Sequence, residues 1–482
     1  MTEAKLTIPK LPVRLFNTES RQKEVFKPLH DNHARIYTCG PTVYHYAHIG
    51  NFRTYVFEDL LRRTLKFFGY QVTQVMNITD VDDKTIRGTI EKSSSLNEFT
   101  QPYKNAFFVD IQSLGIERAE HYPAATDYIP QMIDFVQKLI DKEFAYKSSD
   151  GSVYFSIDKF QRYGRLSRLK LDELVVGARA EVVAHDEYDK ENVGDFVLWK
   201  AYDAKRDGKV FWESPFGPGR PGWHLECSAM AIALLGETLD IHVGAVDNIF
   251  PHHENEIAQS EAFSGKLFVK LWMHSDHLIV NHKKMSKSLG NFFTLRDLLE
   301  KGYEGMDVRY MLMHTHYRTQ LNFTFAGLDG AKKSLQKLND FIQRNQEIAD
   351  SKGTPTETCV AILQKNLDSF AEAMADDLNI SAALSHIYDM THEINALFDG
   401  GKMTPGDGAA VVSAMQEFNR VLGVFTFERE DEAPKELQEM LDKRNAARSE
   451  KNWALADQMR DEIHKHGYLI EDTAGGTRLK KR

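Results

Sequence analysis

The chain has 482 residues, 42% of them apolar, and a formal net charge of -10. That length exceeds one ordinary hydrophobic core and predicts three or four units of roughly 100 to 200 residues each. The acidic balance excludes a protein that coats itself on nucleic acid, the lack of an apolar run near ~18 residues excludes a membrane span, and three widely spaced cysteines (Cys39, Cys227, Cys359) exclude a disulfide framework.

The opening "MTEAKLTIPK" has neither the apolar core of a signal peptide nor the bias of a transit peptide, so the expected location is the cytoplasm. "RIYTCGPTVY" from Arg35 is rich in β-branched and aromatic residues and reads as a strand. Phe57, Leu60, Leu61, Leu65 and Phe68 then recur at helical spacing up to Gly69. Between them, "YAHIGN" makes a strand, turn, helix junction, where an anion meets free N–H groups at the positive end of a helix dipole. His48 in that turn is placed to donate to phosphate. "QVTQVMNITD" (Gln71 to Asp80) reads as a second strand, completing a βαβ unit of a Rossmann-like, doubly wound parallel sheet of the α/β class.

Farther along, "GSVYFSID" (Gly151 to Asp158) and the turn-rich "ESPFGPGRPGW" (Glu213 to Trp223) read as an inserted module that splits this sheet, and "WMHSDHLIV" (Trp272 to Val280) as one apolar segment returning to it. From Ala331 the periodicity is helical and predicts a bundle of three to five helices. The charged, proline-containing "TFEREDEAPKELQ" sets a boundary near Asp431. A small module follows, with a helix over "NWALADQMRDEIHKHG" that Gly467 ends. From Leu441 onward ten Lys and Arg stand against seven Asp and Glu, so any polyanion binding is expected at that basic end. The expected units are 1–130 and 211–280 as two halves of the sheet domain, 131–210 as the insertion, 281–330 as a loop region, 331–430 as the bundle and 431–482 as the terminal module.

Two further clusters carry chemistry. In "PHHENE" (251–256), proline at a first helical position puts His252 and Glu256 one turn apart on one face. With Cys39 and Cys227 they would offer two thiolates, an imidazole and a carboxylate, a set suited to zinc. Buried cysteines and a helix-start pair satisfying local hydrogen bonds are the alternative, since no CxxC pair is present. In "KKMSKS" (283–288), Lys284 and Lys287 beside small hydroxyl residues suit the neutralisation of a departing polyphosphate. Alone, such a stretch is also an ordinary solvated loop.

Taken together and in order, "YTCGPTVY", "HIGN", "NITDVDDK", "GDFVLWK", "GRPGWHLECSAM", "FPHHENEIAQSEA", "KKMSKSLGNFFT" and the terminal "AARSEKNWALADQMRDEI" resemble the signatures of the cysteinyl-tRNA synthetases, class I aminoacyl-tRNA synthetases of bacterial type. The resemblance spans nearly the whole chain. It implies ATP-dependent ligation of L-cysteine to tRNA(Cys) through a cysteinyl-adenylate. It also implies magnesium with ATP, no membrane partner, a monomer, and one zinc ion held by Cys39, Cys227, His252 and Glu256 that selects cysteine over serine. His48, Asn51, Lys284 and Lys287 fall on the catalytic signatures; His48, Asp247, Lys284 and Lys287 on ATP-binding positions; Thr79, Trp223 and His242 on the cysteine pocket; Arg448, Trp453, Asp457 and Asp472 on anticodon-reading positions. The insertion becomes a connective domain, 281–330 a stem-contact region, and the last two units anticodon-binding.

Each pocket residue has a plainer alternative: Trp223 a core aromatic, Thr79 a strand-end hydroxyl or helix cap, His242 a hydrogen-bonded interior histidine, Trp453 a helix-face core residue. Asn51 departs from the family pattern, which ends this signature in a second histidine; asparagine can hydrogen-bond at a helix start but cannot become cationic. His45 replaces an acidic residue, and Val243 and Ala245 interrupt a glycine-rich loop. A ligase that charges a small amine would resemble only the front of this chain, and a non-catalytic RNA-binding protein with structural zinc would have lost the phosphate signatures that His48, Lys284 and Lys287 keep.

Overall fold

A computed structural model describes residues 6–168, 194–349, 353–428, 434–473 and 476–481. The β-branched and aromatic run from His33 forms β1 (His33–Thr38), and the amphipathic stretch after the turn forms α1 (Ile49–Phe67). β2 (Gln71–Met76) returns parallel to β1, in register Tyr37↔Val75. Two later strands, β3 (Leu239–Ala245) and β4 (Val269–Ser275), complete a four-stranded parallel sheet of order β4-β3-β1-β2. Tyr37 faces His242 across the β1–β3 pair, and Trp272 faces His242 across β3–β4. Because β1 has β2 on one side and β3 on the other, the chain reverses direction of travel at β1, and the crevice beyond its C-terminal end is the place where such sheets bind ligands.

Between β2 and β3 lies a second, antiparallel sheet of Ala145–Lys147, Val153–Phe155, Phe196–Ala201 and Gly219–Pro221. Part of the expected insertion, residues 169–193, falls outside the described residues. After the last of these strands, α2 (Trp223–Leu235) precedes β3, and α3 (Glu254–Ser264) links β3 to β4.

The segment "WMHSDHLIV" is not one strand. β4 stops at Ser275, the Asp276 N–H donates to the Tyr317 carbonyl at 2.8 Å, and Leu278–Val280 joins a different sheet with Lys283–Lys284 and Leu321–Phe323. Polar Asp276 and His277 break an apolar run that looks continuous in sequence.

α1 is buried along nearly its whole length, including Arg53. The Arg53 guanidinium donates to the carbonyls of Leu312, Thr315 (2.9 Å) and His316 (2.8 Å), capping the helix Gly305–Met313 and the loop after it. One turn on, Phe57 stacks flat on Tyr317 at 4.2 Å. The same loop meets the helical bundle at Asp377, whose buried carboxylate accepts from the Phe16 N–H (2.8 Å), the Tyr317 hydroxyl (2.7 Å) and Arg318 Nη2 (2.6 Å). Asp377 and Leu378 adopt φ of +62° and +56°, a sharp left-handed bend that turns the carboxylate toward these donors.

Among the described residues the bundle has four helices: α4 (Phe325–Ile348), α5 (Glu357–Ala375), α6 (Ile380–Asp399) and α7 (Pro405–Leu422). Leu328, Ala331, Leu335, Leu338, Phe341 and Ile342 form the buried stripe of α4 at the expected three-four spacing. Cys359 is buried at the start of α5, where burial and the neighbouring Asp407 push its thiol up to about 12.

Everything through Phe425 forms one compact unit, and Thr426 to Arg482 forms another. The boundary expected near Asp431 lies outside the described residues. The second unit holds α8 (Lys435–Ser449), α9 (Trp453–Lys465) and a hairpin of β5 (Tyr468–Thr473) with β6 (Gly476–Lys481). Gly467, at φ +82°, turns the chain out of α9. Among the described residues no helix is long and apolar enough to cross a membrane.

Candidate active site and metal centre

At the crevice, His48 is the N-cap of α1. Its Nδ1 accepts from the Asn51 N–H and its own N–H donates to Asn51 Oδ1, both at 3.1 Å. This reciprocal box satisfies two N–H groups of the junction. It also settles the tautomer: with Nδ1 accepting, a neutral His48 carries its proton on Nε2. Asn51 thus serves here through its carbonyl oxygen.

The "KMSKS" segment lies directly over this turn. Ile49 N–H donates to the Phe293 carbonyl (2.9 Å), Phe292 meets the His48 ring at 5.2 Å, and a Cβ on Gly50 would stand 2.9 Å from His48 Nδ1 and 3.2 Å from the Met285 terminal methyl. Glycine is therefore what allows the methionine to close over the helix start. Asn291 ties the loop to itself, accepting from the Ser286 N–H (2.8 Å) and donating to the Lys284 carbonyl (3.1 Å). Lys284 is exposed, and Lys287 opens the short turn Lys287–Leu289.

On the other side of β1, the structure gathers Cys39, Cys227, His252 and Glu256, each offering a ligand atom, all within 4.8 Å of one another. Three separate segments supply them: Cys39 follows β1, Cys227 lies on α2, and His252 and Glu256 straddle the start of α3. Pro251 is not the first residue of that helix. A π-helical turn over Ile249–His253, with Phe250 extended, precedes α3, and yet His252 and Glu256 still share a face.

His252 Nε2 lies 2.9 Å from Glu256 Oε1, but that oxygen has no hydrogen-bond partner, so the two donor atoms face each other without alignment. His252 Nδ1 is taken by His224 Nδ1 at 2.9 Å, and Glu256 Oε2 by His242 Nε2 at 2.9 Å. Both inner atoms are thus left turned toward the two sulfurs. A buried oxygen with no donor, close to an imidazole nitrogen and two thiols, is a donor set that fits a soft tetrahedral cation.

The hydrogen bond between the two thiols, with help from His252, pulls Cys227 down to about 6 against burial and Glu256, and the same bond holds Cys39 well above its ordinary value. Burial disfavours charge on His252, but Glu256 and Cys227 raise it to about 10; burial likewise opposes charge on Glu256, and His242 and His252 hold it down to about 2. A second, overlapping group of Cys39, His242, His253 and Glu256 also lies within ligand reach. Within it His242 Nε2 meets Glu256 Oε2 at 2.9 Å, and His253, whose Nδ1 meets His274 at 2.8 Å, turns its Nε2 to Cys39.

Trp223, the first residue of α2, is not a core aromatic: it is 41% exposed and its ring stacks on His252 at 4.1 Å. Thr79 is buried; its hydroxyl accepts from Asn77 Nδ2 (3.0 Å), and the next helix is capped by Asp82, so Thr79 is not a helix cap. His242 is fully buried behind Glu256. Asp247 is exposed in the turn Val246–Asn248 just past β3.

The remaining residues belong to the second unit. Arg448 is exposed at the end of α8, and Trp453 opens α9 at 59% exposure, one turn before Asp457, which pairs with Arg460 at 3.0 Å. Asp472 lies in β5.

Sequence reading passed over His224, His253 and His274. His253 Nε2 stands 3.3 Å from Cys39 Sγ, and His274 Nδ1 continues the chain to the Thr18 hydroxyl at 2.7 Å. The doubled histidine in "PHHEN" and the His224 three residues before Cys227 were the available signals. Glu226 was also passed over; its buried carboxyl, pushed well above its ordinary value by burial and by Cys227, meets the Thr79 hydroxyl.

Comparison with known proteins extends this picture to the whole chain. The family described as tRNA synthetases class I (C) catalytic domain matches residues 25–333, a DALR domain matches 369–426, and the Cysteinyl-tRNA ligase anticodon binding domain matches 430–478. A relative named "Cysteine--tRNA ligase" from Protochlamydia amoebophila is 62% identical over 475 residues, covering 98% of both chains. One of the same name from Chlamydia caviae is 55% identical, covering 97% of both. Among solved structures, a Mycobacterium tuberculosis methionyl-tRNA synthetase in complex with methionyl-adenylate superposes with a TM-score of 0.60 at 14% identity, over 81% of this chain and 90% of that one. A LeuRS ternary complex from Agrobacterium radiobacter gives 0.59 at 12% identity, over 83% and 84%. The structural likenesses establish the class I fold, and with full-length identity above one half to the curated relatives, the chain belongs to the cysteinyl-tRNA synthetase family.

Proposed function

We propose that this protein joins L-cysteine to tRNA(Cys) at the expense of ATP, through a cysteinyl-adenylate, and that its buried Cys39, Cys227, His252 and Glu256 select the amino acid. The observation that carries the reading is the convergence of those four donor atoms within 4.8 Å beneath the exposed Trp223, in a chain of this family. Cysteine and serine are nearly isosteric, so an apolar pocket separates them poorly. A zinc ion held by these four residues supplies a soft acid that favours a thiolate over a hydroxyl. Trp223 covers His252, Thr79 lines the pocket, and His242 and His224 fix the orientations of Glu256 and His252.

The rest is positioning and charge stabilisation. The cysteine carboxylate oxygen attacks the α-phosphorus, the bond to the bridging oxygen breaks, and pyrophosphate leaves with the electron pair. The Nε2–H of His48 donates to phosphate oxygens at the head of α1; Lys284 and Lys287 stabilise the departing pyrophosphate, and Asp247 approaches the adenosine. Magnesium accompanies ATP as part of that substrate. A terminal ribose hydroxyl of the tRNA then attacks the acyl carbon and AMP departs. Arg448, Trp453, Asp457 and Asp472 read the anticodon, whose unpaired bases stack on aromatic or guanidinium planes. The protein works as a monomer, and the bundle and the terminal module bind the anticodon end of the tRNA.

Charging of a tRNA bearing the GCA anticodon, with cysteine or serine and ATP, tests this alongside the zinc content of the same preparation. The expected result is charging with cysteine only and about one zinc per chain. Equal charging with serine would overturn the metal-based selection. Cysteine-dependent ATP consumption without charged tRNA would point to a small amine acceptor.

A further inference from the structure

We infer that a surface cluster of aromatic rings and cations beside His48, centred on Tyr46 and Tyr103, is the platform on which the single-stranded 3′ end of the tRNA stacks. The inference rests on the charging reading above. Tyr44 and Tyr46 precede His48 on the same turn and are 37% and 40% exposed, large aromatic surfaces at the rim of the crevice. These rings are held in place. Tyr46 meets Tyr103 edge to face at 5.4 Å, His45 lies parallel to Tyr103 at 6.4 Å, and Phe292 joins His45 (6.1 Å) to His48 (5.2 Å). The cluster is therefore continuous with the phosphate end of the site.

Each of the three tyrosine rings also carries a cation. The Arg296 guanidinium lies 4.8 Å from the centre of Tyr46, Lys92 5.9 Å from Tyr103, and Lys84 5.0 Å from Tyr44. Arg296 is itself anchored from behind by the buried Asp110 at 3.0 Å. Rings interleaved with cations are the chemistry of single-stranded nucleic acid: bases stack on the rings whatever their identity, and phosphates meet the charges. Rings already pinned by neighbours lose little freedom when a base arrives.

Topology separates this surface from the nucleotide. Tyr103 belongs to the helix Leu96–Ser113, which follows β2, whereas Asp247 follows β3, and β2 and β3 flank β1 on opposite sides. ATP and the acceptor end would then reach His48 from opposite sides.

The test uses the full chain with Tyr46→Ala, Tyr103→Ala and Tyr46→Phe, measuring both cysteine-dependent ATP–pyrophosphate exchange and tRNA charging. The alanine variants are expected to keep exchange within about twofold, which also shows that they fold, while kcat/KM for tRNA falls about tenfold or more and Tyr46→Phe stays near the unaltered protein. Charging within twofold of the unaltered protein would overturn the inference. So would a parallel fall in exchange, which would place the rings at the ATP site. Absence of cysteine-dependent exchange in the unaltered protein would overturn the charging reading and this inference with it.

Discussion

Glu58 sits on α1 with its carboxyl fully buried, and burial pushes its pKa well above 4.5, with the Thr38 hydroxyl offsetting this only in part. The folded state therefore keeps a proton that the unfolded chain releases above pH 4.5, so this group costs stability increasingly as pH rises from there. Glu58→Gln keeps the shape and removes that cost. Its melting temperature is expected to exceed that of the unaltered protein by more at pH 8 than at pH 5; an equal difference at both would show the carboxylate already ionised in the fold. Glu58 was silent in sequence, since nothing in "YVFEDLL" distinguishes a buried acid from a solvated one. Cys39, Cys227, His252 and Glu256 come from segments up to about two hundred residues apart, so spacing alone could not assemble them, and only the family pattern joined them. Their outer partners His224, His253 and His274 were missed because such contacts arise from packing.

At the scale of elements, the junction at the head of α1 was legible, because a β-branched run followed by a 3.6-residue apolar period leaves few alternatives. Illegible were the breaks made by tertiary hydrogen bonds: the division of "WMHSDHLIV" by Asp276, and the π-helical turn that delays α3 past Pro251. The contact between Met285 and Gly50 was equally hidden. It makes Gly50→Ala a sharp probe. The added methyl favours the helix by about 0.5–1 kcal/mol but stands 2.9 Å from His48 Nδ1 and 3.2 Å from the Met285 methyl. Stability within about 1 kcal/mol of the unaltered protein and exchange slowed about tenfold are expected; full exchange would show that the loop does not close on Gly50 during the reaction.

For the whole molecule, composition pointed to several units, and the helical run from Ala331 to a bundle; the observed bundle begins at Phe325 and packs as part of the same unit as the sheet. The separate unit begins at Thr426. Trp453, exposed at the head of α9, lies in it, so Trp453→Ala is expected to leave cysteine-dependent exchange unchanged while tRNA charging falls about tenfold or more. Unchanged charging would remove Trp453 from tRNA recognition.

Asp377 has a consequence for how such a chain can be recombined. Its one carboxylate answers the antiparallel pair Arg14–Asn17 and Gln22–Val25 through Phe16, the loop that Arg53 caps through Tyr317 and Arg318, and the bundle from which it comes. A graft spliced at Thr324, where the helices begin, would mate an acceptor from one parent with donors from another, and any mismatch would strand a buried negative charge. The natural suture is between Phe425 and Thr426, past the last helix that shares this acceptor's unit.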